Sequence, residues 1–310
     1  MAQLRLVRTF VEVARTGSFT LAARNLHISR SSVSKQVRML ERELGVPLLM
    51  RSTHHVAPTQ AGMVLLEGGV RLLRNYEHLE GDVRAGSRDL RGQLTVGVPP
   101  AFGAHHLIPA VHAFTALHAD VNVSLRLDDG NLDLVRDGLD ISLRIAPELK
   151  DASYVSRILA KVPQCLVAAP EYLTVHGMPK ALDDLRRHNC LVHSLKSPTG
   201  IWTFGEGAGS VGVPVTGSIR SNFGSALHMA TLLGAGISMH PFYMVSADIE
   251  QGRLRVVLPD GPRPVGLSIH AIYVNRNIPR LVRTFLEFLV EHFADGFEPL
   301  PIDRTGPGVK

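Results

Sequence analysis

Between residues 30 and 40 the chain carries Arg30, Ser31, Ser32, Ser34, Lys35 and Arg38, and no acid. Short hydroxyls and long cations of this kind hydrogen-bond to base edges and neutralise phosphates. The same stretch spaces Val33, Val37, Leu40 and Leu44 at the helical period, so a helix over about 30–44 hides one apolar stripe and presents the polar one. That chemistry is recognition of a polyanion, not bond-making, although an ordinary cationic surface helix would share the pattern. Charge distribution favours recognition. Residues 1–60 hold nine Lys or Arg against three acids, yet the 310-residue chain is only +5, so the remainder is near neutral.

Other elements must position that face. Leu4, Val7, Val11 and Ala14, with Phe10, make an amphipathic helix that Gly17 ends. Ser18 caps a second helix over 19–25, with Leu21, Ala22, Ala23 and Leu26 as its apolar residues, and Ser29 caps the third. Three short helices in this order read as a helix-turn-helix. After Gly45, an extended piece at 46–49 and another at 50–57 read as a wing, with Arg51 and the His54–His55 tip facing phosphate or the minor groove. A metal at His54 and His55 is not expected, because no third ligand lies near. The candidate DNA contacts are Ser18, Arg30, Ser31, Ser32, Ser34, Lys35, Arg38, Arg51 and His54.

Residues 1–62 closely resemble the LysR-type transcriptional regulators. The resemblance rests on Phe10-Val11-Glu12-Val13-Ala14, Gly17-Ser18-Phe19-Thr20-Leu21-Ala22-Ala23, Ser31-Ser32-Val33-Ser34-Lys35-Gln36-Val37, Leu40-Glu41-Arg42-Glu43-Leu44-Gly45 and Pro58-Thr59-Gln60-Ala61-Gly62. Arg30 stands where that family often has Gln, Leu49 where it often has Phe, and His54 and His55 in a wing usually richer in Arg or Lys. The resemblance implies a DNA-binding transcriptional regulator controlled by a small-molecule effector. It also implies a dimer or tetramer.

Pro58 and Thr59 open a long helix to about residue 85, in which Leu65, Gly69, Leu72, Tyr76, Leu79 and Val83 follow a coiled-coil spacing. A dimer seam and packing on the helix's own domain are both open, and Gly68 and Gly69 weaken a seam by about 1 kcal/mol each. Residues 84–92 read as a hinge. From Gln93 strands alternate with helices: strands at 94–98, 121–127 and 139–145, a helix at 103–117 and a short one from Asn131. This order implies a mixed, largely parallel sheet. A second such unit runs from about Val162 to Leu258, and the strand at 267–274 and helix at 280–293 return to the first.

The fold class is therefore a winged helix-turn-helix head (1–58), a linker helix (59–89) and an α/β effector domain. Its two lobes span 90–162 with 267–298, and 163–266. By resemblance, they are similar in fold to periplasmic binding proteins. Residues 299–310 read as a disordered tail. In open α/β sheets ligands sit beyond the carboxyl ends of strands. That selects Pro99, Pro100, Ala101 and Phe102 after one strand, and Ser221, Asn222 and Phe223 after another, with Ser194 and Met239 following further strands. Helix N-termini there favour an anion such as a carboxylate, and an aromatic is the alternative effector class. The same residues would also serve as plain helix caps.

Enzyme chemistry finds no footing. Gly207-Ala208-Gly209-Ser210-Val211-Gly212 matches a dinucleotide-loop pattern but leads into a strand, not a helix. The residues around Gly236 and Met239 lack the last glycine of a nucleophile elbow, and no paired carboxylates stand out. No cofactor, metal or catalytic residue is expected. The N-terminus lacks an export signal and Cys165 and Cys190 form no framework, which points to the cytoplasm and against an exported solute-binding protein. No apolar run long enough for a membrane span occurs.

Overall fold

The structure, a computed structural model, describes residues 2–51, 56–84, 90–130, 132–149, 154–205, 207–274 and 278–297. Helices α1 (Ala2–Thr16), α2 (Phe19–Asn25) and α3 (Arg30–Leu44) are followed by strands β1 (Leu49–Arg51) and β2 (Val56–Pro58), paired antiparallel as a wing. Local signals set each boundary. The Ser18 and Ser29 hydroxyls accept from the Leu21 and Ser32 amides, and Gly45 ends α3 at φ +71°. Val33, Val37 and Leu40 join Leu6, Phe10, Val13 and Ala22 in the head's core.

Linker helix α4 (Gln60–Arg84) starts on a Thr59 cap, whose hydroxyl accepts from the Gly62 amide at 3.0 Å. The expected seam is split. A Cβ on Gly69 would lie 3.0 Å from Val7 and 3.1 Å from Val11, so this position faces α1. Leu65, Leu66 and Val70 pack on the head, and Leu73 is buried there. Leu72 and Leu79 of the expected seam face outward, and Val64, outside that spacing, is exposed with them. Most of the expected hinge, residues 85–89, lies outside the described residues, as does the tail at 299–310.

Lobe I has the strand order β4-β3-β5-β14-β6, from β3 (Gly92–Val98), β4 (Val121–Leu127), β5 (Ile141–Ala146), β6 (Val155–Val162) and β14 (Leu267–Tyr273). Lobe II has the order β11-β8-β12-β7-β13, from β7 (Gln164–Ala168), β8 (Cys190–His193), β11 (Arg220–Ser221), β12 (Ile237–Pro241) and β13 (Arg255–Val257). Strands β9 (Ile201–Phe204) and β10 (Val211–Pro214) form a separate hairpin. Each five-stranded sheet has two parallel and two antiparallel pairings, because β14 runs against β5 and β6, and β7 against β12 and β13. The sheets are thus mixed but not largely parallel.

One helix expectation is extended and one corrected. The helix expected over 103–117 already begins at α5 (Pro100–Phe102), passes a π-helical turn (Gly103–Leu107) and continues as α6 (Ile108–Leu117). Gly103 packs so closely that a Cβ would lie 2.7 Å from Leu127, which fits an irregular turn there. Asn131 lies outside the described residues, and residues 132–140 after it form no helix. The Asp133 carboxylate takes the Val135 and Arg136 amides at 2.8 and 2.7 Å, closing a turn instead. Helices α7 (Pro170–His176), α8 (Gly224–Leu232) and α9 (Phe242–Glu250) belong to lobe II. Helix α10 (Arg280–His292) returns to lobe I, burying Leu281, Phe285 and Leu289.

Candidate DNA-reading face and effector cleft

With one stripe of α3 locked in the head's core, its other face stands free. Arg30, Ser31, Lys35 and Arg38 are exposed, and Ser32 and Ser34 are half-buried. The Ser29 hydroxyl lies 2.9 Å from that of Ser31 and 2.8 Å from that of Ser32, so the start of α3 is a hydroxyl cluster. Arg38 makes one local hydrogen bond, from Nε to the Ser34 carbonyl at 3.3 Å. The first acid downstream, Glu41, is turned to the wing: its Oε1 accepts from the Leu48 and Leu49 amides at 3.0 and 3.3 Å. Behind the face, the Thr9 hydroxyl donates to Gln36 Oε1 at 2.7 Å and fixes α3 on α1. Ser18 is half-buried and serves first as the α2 cap. Arg51 ends β1, but its side chain and all of His54 lie outside the described residues.

In the α/β body, β3 runs into Pro99 and α5, and β11 runs into Asn222, Phe223 and α8. Pro99, Pro100, Ala101, Ser194 and Ser221 are half-buried, and Asn222 and Phe223 exposed. The Ser221 hydroxyl accepts from the Phe223 amide at 3.0 Å, while its carbonyl accepts from the Ser194 amide at 2.8 Å. One expected cleft residue is placed elsewhere. Phe102 is fully buried, its ring 5.5–5.9 Å from those of His106, Tyr243, Phe293 and Phe297, so it is core and not cleft wall. Met239 on β12 is half-buried, with one side against lobe II's core.

Sequence reasoning missed Asp129, in the turn after β4. Its Oδ2 accepts from the Gly224 amide at the start of α8 at 3.2 Å. Lys196 donates from Nζ to the Ile145 carbonyl of lobe I at 2.9 Å. The rule that selected 99–102 applies equally to the end of β4 and would have found Asp129. Beside α8, burial and the Lys196 charge push His193 down to about 4. Burial, with His228 and His193, pushes His240 down to about 3, so both rings are neutral at pH 7. His228 Nε2 lies 2.7 Å from Asp248 Oδ2, and Arg253 Nε donates to Asp248 Oδ1 at 2.7 Å.

A separate cavity of about 1790 Å³, lined by Lys161, Gln164, Asp260 and Arg263, includes none of the expected effector residues. The Gly207–Gly209 turn leads into β10, a hairpin strand, so no helix stands there to receive a dinucleotide. Among the described residues no cluster of three or more His, Cys, Asp or Glu is placed to hold a metal, and no helix is long and apolar enough to cross a membrane.

A winged head with a free cationic helix, joined by a long helix to a two-lobed α/β body, defines a DNA-binding regulator with a sensor domain. Comparison with known proteins agrees. Residues 4–63 match the bacterial regulatory helix-turn-helix protein of the lysR family, and residues 87–294 match the LysR substrate binding domain. The chain belongs to the LysR family of transcriptional regulators. It is 34% identical over 268 residues to the HTH-type transcriptional activator TtdR of Escherichia coli K12, covering 86% of each chain. It is 32% identical over 301 residues to the HTH-type transcriptional regulator DmlR of the same strain, covering 96% of this chain and 97% of that one. Among solved structures, CrgA, a LysR-type transcriptional regulator from Neisseria meningitidis, superposes with a TM-score of 0.59 at 29% identity over 93% of this chain and 97% of that one. The full-length Vibrio cholerae virulence activator AphB shares the fold, at a TM-score of 0.60 and 24% identity over 93% and 98%. The chain is thus a DNA-binding, effector-controlled transcriptional regulator and not an enzyme.

Proposed function

We propose that two or four copies of the chain act together in the cytoplasm, each laying α3 in a major groove of double-stranded operator DNA. Arg30, Ser31, Ser34, Lys35 and Arg38 face bases and phosphates, and Ser18, Ser32, Arg51 and His54 flank them on the backbone. One observation carries this reading: the face of α3 is exposed and acid-free, and Glu41, the nearest downstream acid, is spent on the wing. The stripe of Val64, Leu72 and Leu79 on α4 supports a paired linker, since these apolar side chains are 70%, 51% and 60% exposed in one copy. The effector, a carboxylate or an aromatic, binds between the lobes against Pro99, Pro100, Ala101, Ser194, Ser221, Asn222 and Phe223.

The test is a footprint on operator DNA selected from genomic fragments by the parent chain. Arg30→Ala and Arg38→Ala are each expected to weaken protection with thermal stability nearly unchanged. Unaltered footprints in both variants contradict the reading.

A further inference from the structure

At the cleft, the first turn of α8 is already occupied from the opposite lobe. Gly224 gives its amide hydrogen to Asp129 of lobe I, and Lys196 of lobe II reaches back to the Ile145 carbonyl. These two ties are electrically linked. Burial raises the Asp129 carboxyl, and the Gly224 amide and the Lys196 charge work against that rise. Lys196 keeps much of its side chain exposed, yet burial at the junction lowers its ammonium and Asp129 offsets the loss. A free helix amide beside an ammonium offers Asp129 what any carboxylate would need there.

The surroundings are polar and incompletely satisfied. The His193 ring carbon Cδ2 lies 4.0 Å from where a Gly224 Cβ would stand, and His193 Nδ1 accepts from the Lys196 amide at 3.4 Å. On the neighbouring strand β12, fully buried His240 lies under α8, its ring 5.7 Å from that of His228. Its Nε2 has no hydrogen-bond partner among the described residues.

Resting on the reading that the effector binds in this cleft, we propose that Asp129 is a built-in competitor for an anionic effector. Its carboxylate holds the start of α8 and ties the lobes together, and a small mono- or dicarboxylate displaces it. Self-occupancy lowers apparent effector affinity by the fraction of time the site is open. Displacement frees the turn after β4, so occupancy is read as a change in how the lobes are joined.

The test compares the full chain with Asp129→Ala and Asp129→Asn, using succinate and benzoate as probes. Asp129→Asn keeps the shape and removes the charge, which guards against loss of fold. Without ligand, amide exchange at 222–226 is expected to be faster in Asp129→Ala. In calorimetric titrations at least one acid should bind both variants roughly tenfold more tightly than the parent. Equal or weaker binding in the variants overturns the competitor and leaves cleft binding standing. No binding to any of the three chains also overturns it, and removes both acids as cleft ligands at the same time.

Discussion

Replacing both Lys35 and Arg38 by Ala should change how DNA affinity depends on salt far more than it changes the fold. Both side chains are exposed on the outer face of α3, and the Arg38 hydrogen bond reaches only to Ser34 of the same helix. Stability should therefore shift by no more than about 0.5 kcal/mol. Each phosphate contact contributes about 0.9 to the slope of log affinity against log salt. Two residues in each of two copies give a slope smaller by about 3.6 in the variant. Between 50 and 200 mM salt the parent then loses roughly 150-fold more affinity than the variant. Fluorescence anisotropy on a labelled operator duplex across that range reads the slope directly. A folded variant with the parent's slope would refute the placement of these cations against the backbone.

Other perturbations probe the scaffold. His240 is about 3 in the folded chain against 6.5 when exposed, so it contributes stability that is complete above 6.5 and is lost as pH falls toward 3. His193, at about 4, adds to the same loss between 6.5 and 4. Melting temperature should fall over that acid range, and His240→Leu should flatten the curve; a parallel curve in the variant contradicts the assignment. Gly62→Ala places a Cβ 2.0 Å from the Leu48 carbonyl oxygen, so the head should loosen from the linker at a cost of about 1–3 kcal/mol, measured by denaturant melts. Leu72→Glu with Leu79→Glu should convert the chain to monomer in analytical ultracentrifugation, and an unchanged sedimentation coefficient would remove the paired linker.

The α3 boundaries were legible because Ser29, Gly45 and the apolar period all act within the helix itself. The linker period could not separate its head-facing positions from its outward ones: Gly69 answers to Val7 and Val11 of a different helix, a contact that no local period encodes, while Leu72 and Leu79 of the same period face outward. Phe102 follows a strand end, a position compatible with cleft or core. Tyr243, Phe293 and Phe297, all distant in sequence, decide for core. The strand-end rule reaches Asp129, but its tie to Gly224, 95 residues away, is not encoded locally. Strand direction likewise depended on β14, which inserts between β5 and β6 only after the second lobe is complete.

The most direct measurement is photo-crosslinking to operator DNA from a thiol-linked probe at Ser34→Cys, compared with one at Val175→Cys. Burial pushes the native thiols Cys165 and Cys190 up to about 12, so both are protonated at neutral pH and react more slowly than an exposed thiol at position 34 or 175. Val175 is exposed on α7, far along the chain from the head. Crosslinks to operator bases from position 34 and none from 175 are predicted. Crosslinking from 175 alone, or from neither site while the duplex is bound, would contradict α3 as the DNA-reading element.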